Sequence, residues 1–329
     1  MKKIVLITTL IVTVAFGQIT VTKTVGKIDA YDSLSNYLGK DVSKYVGQEF
    51  YLKVQHEKLR KFGYRDFYID YNENVKSALN RNNIYKCCSE GLSSKYNELA
   101  GKYFKVLEVI RHPRSSLNDK YYLKLQEKSS NDIVYFRYDA KYRHLFPFVV
   151  VGFFEKLKQR TIGQTFVFGN IQRLNPDKTQ PFSFGKDSDF DINTGQRINF
   201  ELGKEWECID LTIDERNYAL SLVFKDGDGQ TLAVRYERIV GEIGEHMTEN
   251  RFHNIFTKDE ADNYKEKFGQ DIWNAILQGE VKIGMTKEMC KLARSEPKKI
   301  NVSEKNEQWV YSDYHLYFEN DILTVIQQQ

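Results

Sequence analysis

The sequence predicts an α+β protein that is mostly β. Two duplicated small β-barrel or meander units are followed by a two-helix, three-strand module. Three observations predict this. A short phrase occurs four times, as Gly47-Gln48-Glu49-Phe50, Gly101-Lys102-Tyr103-Phe104, Gly163-Gln164-Thr165-Phe166 and Gly203-Lys204-Glu205-Trp206. After each Lys version a pair of alternating runs follows, from Tyr121 to Asp139 and from Tyr218 to Glu237, which marks an internal duplication. From Asp259 onward the apolar spacing lengthens from two residues to three and four, as helices require.

The 329 residues suffice for two or three domains. With 21 Tyr, 21 Phe and only 5 Pro, the composition suits twisted, half-buried sheets. The first residues read Met1-Lys2-Lys3, then an apolar run from Ile4 to Phe16, then Gly17-Gln18. That order of basic, apolar and small residues predicts a secretory signal peptide over 1–18. No Cys stands near the expected cleavage point, so a lipid anchor is not expected there. The formal net charge is +3, and +1 without Lys2 and Lys3. A nearly neutral chain carries no broad electrostatic footprint for nucleic acid. The later apolar run from Phe146 to Phe154 is too short to span a bilayer, so no transmembrane segment is expected in the mature chain.

A lead-in over 19–40 includes a weakly alternating stretch, Ile19 to Ile28. From Tyr31 to Tyr45 the residues Leu34, Tyr37, Leu38, Val42 and Tyr45 follow helical spacing, interrupted by Gly39. The first β unit covers 41–145. Phe50, Leu52 and Val54 alternate with polar neighbours, as a strand does. Phe67, Ile69 and Tyr71 make the next. Gly101 to Val109 is a strand stopped by His112-Pro113. Leu123 and Leu125 then pair with Val134, Phe136 and Tyr138 around Ser129 to Asp132. The bridge over 146–159 has an apolar centre that must be buried, so the two units are expected to pack together.

The second β unit covers 160–241. Trp206 and Cys208 take the places of Phe104 and Val106. Leu220, Leu222 and Phe224 pair with Leu232, Val234 and Tyr236 across Asp226-Gly227-Asp228-Gly229, a strong hairpin signal. The Gly-Lys-x-aromatic opening resembles strands of SH3-like small barrels. The last region, 242–329, places helices over Asp259–Leu277, with Gly269 as a break, and Thr286–Ala293, with Thr286 as N-cap and Pro297 beyond. Strands are expected over Gln308–Tyr311, His315–Phe318 and Leu323–Ile326.

Within this region, Gly284-Met285-Thr286, Pro297, Trp309-Val310-Tyr311 and Tyr317-Phe318-Glu319-Asn320 resemble the SmpA/OmlA, or BamE-type, domain. The resemblance implies two helices on a three-stranded sheet. Glu296 and Asp321 stand where the family carries Gly. Family members of the assembly-factor type are lipoproteins of the outer-membrane β-barrel machinery. That role is not carried over, and no functional residue of the family maps onto this chain.

Candidate chemistry is sparse. The six histidines form neither H-x-H nor H-E-x-x-H. His246 and His253 are read as solvated polar residues, and Ser183 to Lys186 matches S-x-x-K only formally. Asp187, Asp189, Asp191 and Asn193 place oxygen ligands at every second position, the way a calcium loop begins. Ile192 stands where an EF-hand needs Gly and Ile198 where it needs Glu, so an acidic loop is the favoured reading and a metal site the weaker one. Cys87 and Cys88 are a possible redox pair, open to three states: a vicinal disulfide, separate bridges or free thiols. Cys208 and Cys290 read as buried hydrophobes. Exposed aromatics around Tyr64, Phe67, Tyr68 and Tyr71 are a candidate ligand cleft. No cofactor is expected.

Together these readings predict an exported, non-enzymatic binding or scaffolding protein of the bacterial cell envelope, in the periplasm or outside the cell and peripheral to the outer membrane. Its partner would be an envelope protein or glycan. The alternative is a glycan hydrolase using loop carboxylates such as Asp187 to Asp191, because such carboxylates carry no local signature.

Overall fold

The computed structural model describes residues 31, 33, 35–71, 80–113, 119–169, 190–198, 200–214, 219–236, 255–303 and 306–328. The signal-peptide stretch, most of the lead-in, His246 and His253 lie outside them. The fold is mixed and mostly β, with antiparallel sheets and a few helices. The first sheet contains β1 (Glu49–Leu52), β2 (Phe67–Tyr68), β3 (Tyr103–Arg111), β4 (Lys120–Glu127), β5 (Ile133–Asp139) and β6 (Phe148–Val150). Their spatial order is β2-β5-β4-β3-β1-β6. Single-turn helices α1 (Glu57–Arg60) and α2 (Tyr96–Leu99) lie in its connections.

Helix α3 (Val151–Thr161) leads to the second sheet, formed by β7 (Thr165–Phe168), β8 (Glu205–Asp214), β9 (Ala219–Asp226), β10 (Thr231–Arg235) and β11 (Ile255–Thr257). Its order is β10-β9-β8-β7-β11. Helices α4 (Lys258–Phe268), α5 (Gln270–Gln278) and α6 (Lys287–Arg294) precede a third sheet of β12 (Lys299–Val302), β13 (Asn306–Val310), β14 (Tyr314–Glu319) and β15 (Ile322–Gln328) in sequential order.

Each repeated glycine sits at the start of a strand with positive φ: Gly47 at 83°, Gly101 at 74°, Gly163 at 83° and Gly203 at 81°. Only glycine adopts this conformation without steric cost. The turn aims the next backbone groups at the neighbouring strand. Gly47 N–H donates to Val106 O at 2.9 Å and Val106 N–H to Gln48 O at 2.9 Å. The second sheet repeats the exchange: Gly163 N–H donates to Cys208 O and Cys208 N–H to Gln164 O, both at 2.8 Å. Phe50 lies opposite Phe104, and Phe166 opposite Trp206. Both long strands shift register just beyond, between Val106 and Glu108 and between Cys208 and Asp210.

The inward residues are aromatic and fully buried. Tyr45, Phe50, Phe67, Phe104, Phe136, Tyr138, Phe146 and Phe148 fill the first sheet. Edge-to-face contacts hold them, such as Tyr45 on Phe50 at 5.0 Å and Phe136 on Phe148 at 5.1 Å. The same buried cluster continues through Phe153, Phe154 and Leu157 of α3 into Phe168, Trp206 and Phe224 of the second sheet. The apolar stretch from Phe146 to Phe154 thus lies in a core common to both sheets.

Each Lys of the repeat meets a buried carboxylate at the end of a hairpin. Lys102 Nζ is 3.1 Å from Glu127, and Lys204 Nζ is 2.7 Å from Asp226. Glu127 also accepts from Ser129 N–H at 2.8 Å, Ser129 Oγ at 2.6 Å and Ser130 N–H at 3.0 Å. Asp226 accepts from Asp228 N–H at 3.0 Å and Gln230 N–H at 2.8 Å. These carboxylates close the β4–β5 and β9–β10 turns. Burial pushes the Glu127 carboxyl up, but the hydrogen bonds from Ser129, Ser130 and Lys102 outweigh it and carry it down to about 2.

The C-terminal helices pack on the second sheet through Val167, Phe256, Ala261, Trp273, Ile276 and Leu277. Lys258 pairs with Glu205 at 2.6 Å across that junction. Helix α4 opens on a capping box between Thr257 and Glu260, and Gly269 at φ 81° separates α4 from α5. Thr286 caps α6. Met285, Cys290, Trp309, Leu316, Phe318 and Leu323 bury the inner face of the third sheet.

Several elements differ from expectation. Residues 35–41 are not helical; only Val42–Tyr45 makes a 3-10 turn. Tyr45 is the cause: its hydroxyl donates to Asn36 O and accepts from Leu38 N–H, both at 2.9 Å, holding the segment open. The boundary at 145 falls before β6, which pairs with β1, and the one at 241 before β11, which pairs with β7. The third sheet has a fourth strand, β12. Ile69 and Tyr71 extend past a two-residue β2.

Two measurements check this account. Gly163→Ala should cost about 1–2 kcal/mol in urea denaturation, since a Cβ there meets nothing within 4 Å and only the left-handed backbone opposes it. Gly203→Ala should cost at least as much, because its Cβ would lie 3.2 Å from Leu277 Cδ1. A neutral effect at both would remove the conformational explanation. The depressed Glu127 carboxyl contributes stability above the unfolded pKa, lost as pH falls from about 4.5 towards about 2. Glu127→Gln should lower stability at pH 7 by about 2–3 kcal/mol and flatten the profile across that acidic window.

Candidate functional site

Period-two alternation puts one face of β4 and β5 inward and the other outward. Leu123, Leu125, Val134, Phe136 and Tyr138 face the core. The outward set is Tyr122 and Lys124 on β4 and Tyr135 and Arg137 on β5, joined by Tyr68 on β2. Register sets Tyr122 opposite Arg137, Lys124 opposite Tyr135 and Tyr68 opposite Tyr135. Tyr71 follows β2 and His112 follows β3.

These side chains form one half-buried surface. Tyr71 lies 4.9 Å from Tyr135 and 5.9 Å from Tyr122 by ring centroids. Tyr68 meets Tyr122 edge-on at 6.3 Å. His112 stacks on Tyr122 at 5.2 Å. Arg137 holds the centre. Its guanidinium lies 5.7 Å from the Tyr68 ring centroid and pairs with Asp66. Tyr68 Oη donates to Asp66 Oδ1 at 3.4 Å. Burial first, and then the Asp66 charge, push the Tyr68 hydroxyl up to about 12, so it remains a neutral donor at physiological pH.

The second sheet treats the same positions differently. Counting along the strands from the paired Phe104–Glu127 and Trp206–Asp226, Tyr122 corresponds to Ser221, Lys124 to Val223 and Tyr135 to Ala233. Those three residues are buried. Tyrosines at these positions are therefore no requirement of the strand framework.

Of the aromatics expected to form a cleft, Tyr64 and Phe67 are core residues, while Tyr68 and Tyr71 join the outer surface. The sequence reading missed Tyr122, Tyr135, Arg137 and His112. The signal was present: Tyr122 and Tyr135 alternate with Leu123 and Phe136 on facing strands.

The acidic loop is divided. Asp187 and Asp189 lie outside the described residues. Asp191 is buried, and its oxygens accept from Thr231 N–H at 2.6 Å, Thr194 N–H at 2.7 Å and Asn193 N–H at 2.9 Å. Burial raises its carboxyl, and these donors outweigh burial and hold it below the usual range. Asn193 Nδ2 donates to Thr231 Oγ1 at 3.1 Å. Asp191 thus fastens its loop to β10, its oxygens turned to backbone donors. Among the described residues, no group of three or more His, Cys, Asp or Glu side chains converges on a common point. No described helix is long and apolar enough to cross a membrane.

Cys87 and Cys88 are bonded to each other, whereas Cys208 and Cys290 are free and buried. Burial pushes the Cys208 thiol up to about 11 and the Cys290 thiol up to about 12, which makes both poor nucleophiles. Compared with known proteins, the chain matches no family model, no curated sequence and no solved structure.

The cysteine assignment has a direct check. Alkylation of the unfolded, unreduced protein should add two labels, at Cys208 and Cys290, and reduction should expose two more. Four labels without reductant would rule out the Cys87–Cys88 bond.

Proposed function

We propose that the chain is an exported, non-enzymatic binding protein of the bacterial cell envelope, and that the tyrosine–arginine face of the first sheet is its contact surface. The observation that carries this is the half-buried group of Tyr68, Tyr71, Tyr122, Tyr135 and Arg137. A surface rich in Tyr and Arg has the composition of protein-interface hot spots, which favours a protein partner over a glycan. Tyrosine supplies rigid contact area at small entropic cost and keeps a hydroxyl for orientation. Export is supported by the Lys2-Lys3 and Ile4–Phe16 pattern.

We also infer that the two large sheets are copies of one unit. Four parallels support this: the positive-φ glycines, the paired Phe104 and Trp206 positions, the Lys102–Glu127 and Lys204–Asp226 pairs, and the strand-to-helix passages from β6 to α3 and from β11 to α4. The C-terminal region would be an SmpA/OmlA-like module. Thr286 capping α6 and Trp309 packed on Phe318 at 4.6 Å agree with the motif positions. Within this reading the module docks the β units to the envelope.

Affinity capture from an envelope fraction tests the contact surface. The full mature chain should retain a protein partner, and Tyr122→Ala/Tyr135→Ala should lose it by about tenfold or more, as hot-spot truncation does. Both residues are half-buried, so the urea midpoint of the double variant is measured alongside, and capture is compared where both proteins are folded. Equal capture by the two proteins would exclude this face, and protease-resistant, glycan-only capture would overturn the protein-partner reading.

A further inference from the structure

Sheet edges expose unpaired N–H and C=O groups and are normally covered or interrupted. Among the described residues, the edges other than β12 are covered in whole or, as at β10 and β15, in part. At β6, the Asn36 amide replaces a strand: its Nδ2 donates to Phe148 O at 2.9 Å, and its Oδ1 accepts from Val150 N–H at 2.8 Å. At β2, Ile69 N–H reaches Asn83 O at 2.8 Å, and Tyr85 N–H reaches Phe67 O at 3.1 Å. At β10, the loop carrying Asp191 and Ile192 bonds to Thr231. At β15, Gly284 N–H donates to Leu323 O and Leu323 N–H to Met285 O, both at 2.8 Å. β11 is three residues long and turns at once into α4.

β12 is different. All four of its residues are exposed, and no described residue bonds to its outer edge. Ser303 and Asn306 exchange backbone hydrogen bonds, at 2.8 and 3.2 Å, at the start of the β12–β13 ladder. Alternation from that pair directs Asn301 and Lys299 towards β13 and leaves the N–H and C=O of Ile300 and Val302 facing outward. The Ile300 and Val302 side chains share one face, the face of Trp309 opposite Ile300, and are 42% and 77% exposed. An unprotected edge with two apolar side chains on one face is a template for strand addition.

We propose that β12 pairs antiparallel with β12 of a second copy of this chain, about a two-fold axis through Asn301, joining two four-stranded sheets into one. The segment is self-complementary in that register. Ile300 falls opposite Val302 of the other copy, and both have their backbone groups on the open side. Two such pairs supply four hydrogen bonds and gather four apolar side chains on one face. Each Lys299 falls opposite Ser303 of the other copy, so like charges do not face each other. The symmetry is that of an isologous interface. Four residues per copy bury little area, so the association is weak and reversible. This interface lies on the third sheet and does not depend on the function proposed for the first.

Sedimentation velocity of the full mature chain, from micromolar to millimolar concentration, should show a reversible monomer–dimer equilibrium. Val302→Pro removes an outward N–H without touching the β12–β13 ladder, and should leave a folded monomer throughout the series. Ile300→Lys/Val302→Lys, which sets like charges opposite each other, should do the same. Asn301→Cys should form a disulfide-linked dimer on mild oxidation, because its position on the axis is a close, non-hydrogen-bonded pair. A chain that stays monomeric to millimolar concentration overturns the proposal. So does a dimer that survives both the proline and the double-lysine variants.

Discussion

The fold depends on two strands being locked in register at both ends by glycine-led turns. In the first sheet, Gly47 N–H reaches Val106 O at one end of β1, and Gly101 N–H reaches Leu52 O at the other, at 2.9 and 3.1 Å. In the second, Gly163 N–H reaches Cys208 O and Gly203 N–H reaches Phe168 O, at 2.8 and 2.9 Å. A slip of one residue would turn Phe50 and Phe104 to water and bring Tyr51 and Tyr103 inward. The positive φ at each glycine makes the chain enter the strand from the side, and no side-chain contact could substitute for it. The pairs of Lys102 and Lys204 with buried carboxylates then fix the far hairpin against the same strand. Once β1 and β3, or β7 and β8, are set, every inward aromatic has a defined neighbour.

Closure of each sheet comes from later in the chain. β6 and β11 are three residues long, and each leads directly into a helix that packs on the next element. This interleaving explains why the two large sheets have one buried cluster rather than two. It also explains which features were legible in the sequence. The long hairpins were readable because Leu123, Leu125, Val134 and Phe136, and likewise Leu222, Phe224, Leu232 and Val234, alternate over a full strand. Phe148 to Val150 is apolar on both faces and merges with the helix after it, so no period marks it. β12 was hidden for the opposite reason: its residues are all exposed and bury no face. The helical spacing from Tyr31 to Tyr45 misled because spacing records which residues are buried, not how the backbone reaches them. Tyr37, Val42 and Tyr45 do pack on the core, but the Tyr45 hydroxyl holds Asn36 and Leu38 apart from any helical turn.

The outer face of the first sheet was half-legible. Composition announced abundant tyrosine, and alternation assigns Tyr122 and Tyr135 to the face opposite Leu123 and Phe136. The lateral order was not legible. β2 lies beside β5, although β3 and β4 intervene in sequence, and only this placement brings Tyr68 and Tyr71 to Tyr122 and Tyr135. Arg137 gains its place by the same neighbour, since Asp66 precedes β2. The oxygen ligands seen in Asp187 to Asn193 illustrate the converse. Spacing suggested a cation, while the tertiary fold gives Asp191 backbone donors from Thr194 and Thr231.

The two sheets, built on one pattern of hydrogen bonds, differ most in what their outer faces meet. In the second, Ser221, Val223 and Ala233 are buried, and Val167 and Phe256 take the helices α4 and α5. In the first, Tyr122, Lys124 and Tyr135 stand at the corresponding positions and stay half-buried, while Arg137 has its counterpart in Arg235. Large aromatic side chains left partly in water forgo hydrophobic stabilisation that the same framework obtains elsewhere. Two of them, Tyr68 and Tyr122, are held in place by Arg137 and His112, so the surface is ordered as well as apolar. A pre-ordered aromatic surface loses little entropy when a partner covers it. The asymmetry between the two outer faces is the physical support for the proposal that recognition lies on the first sheet.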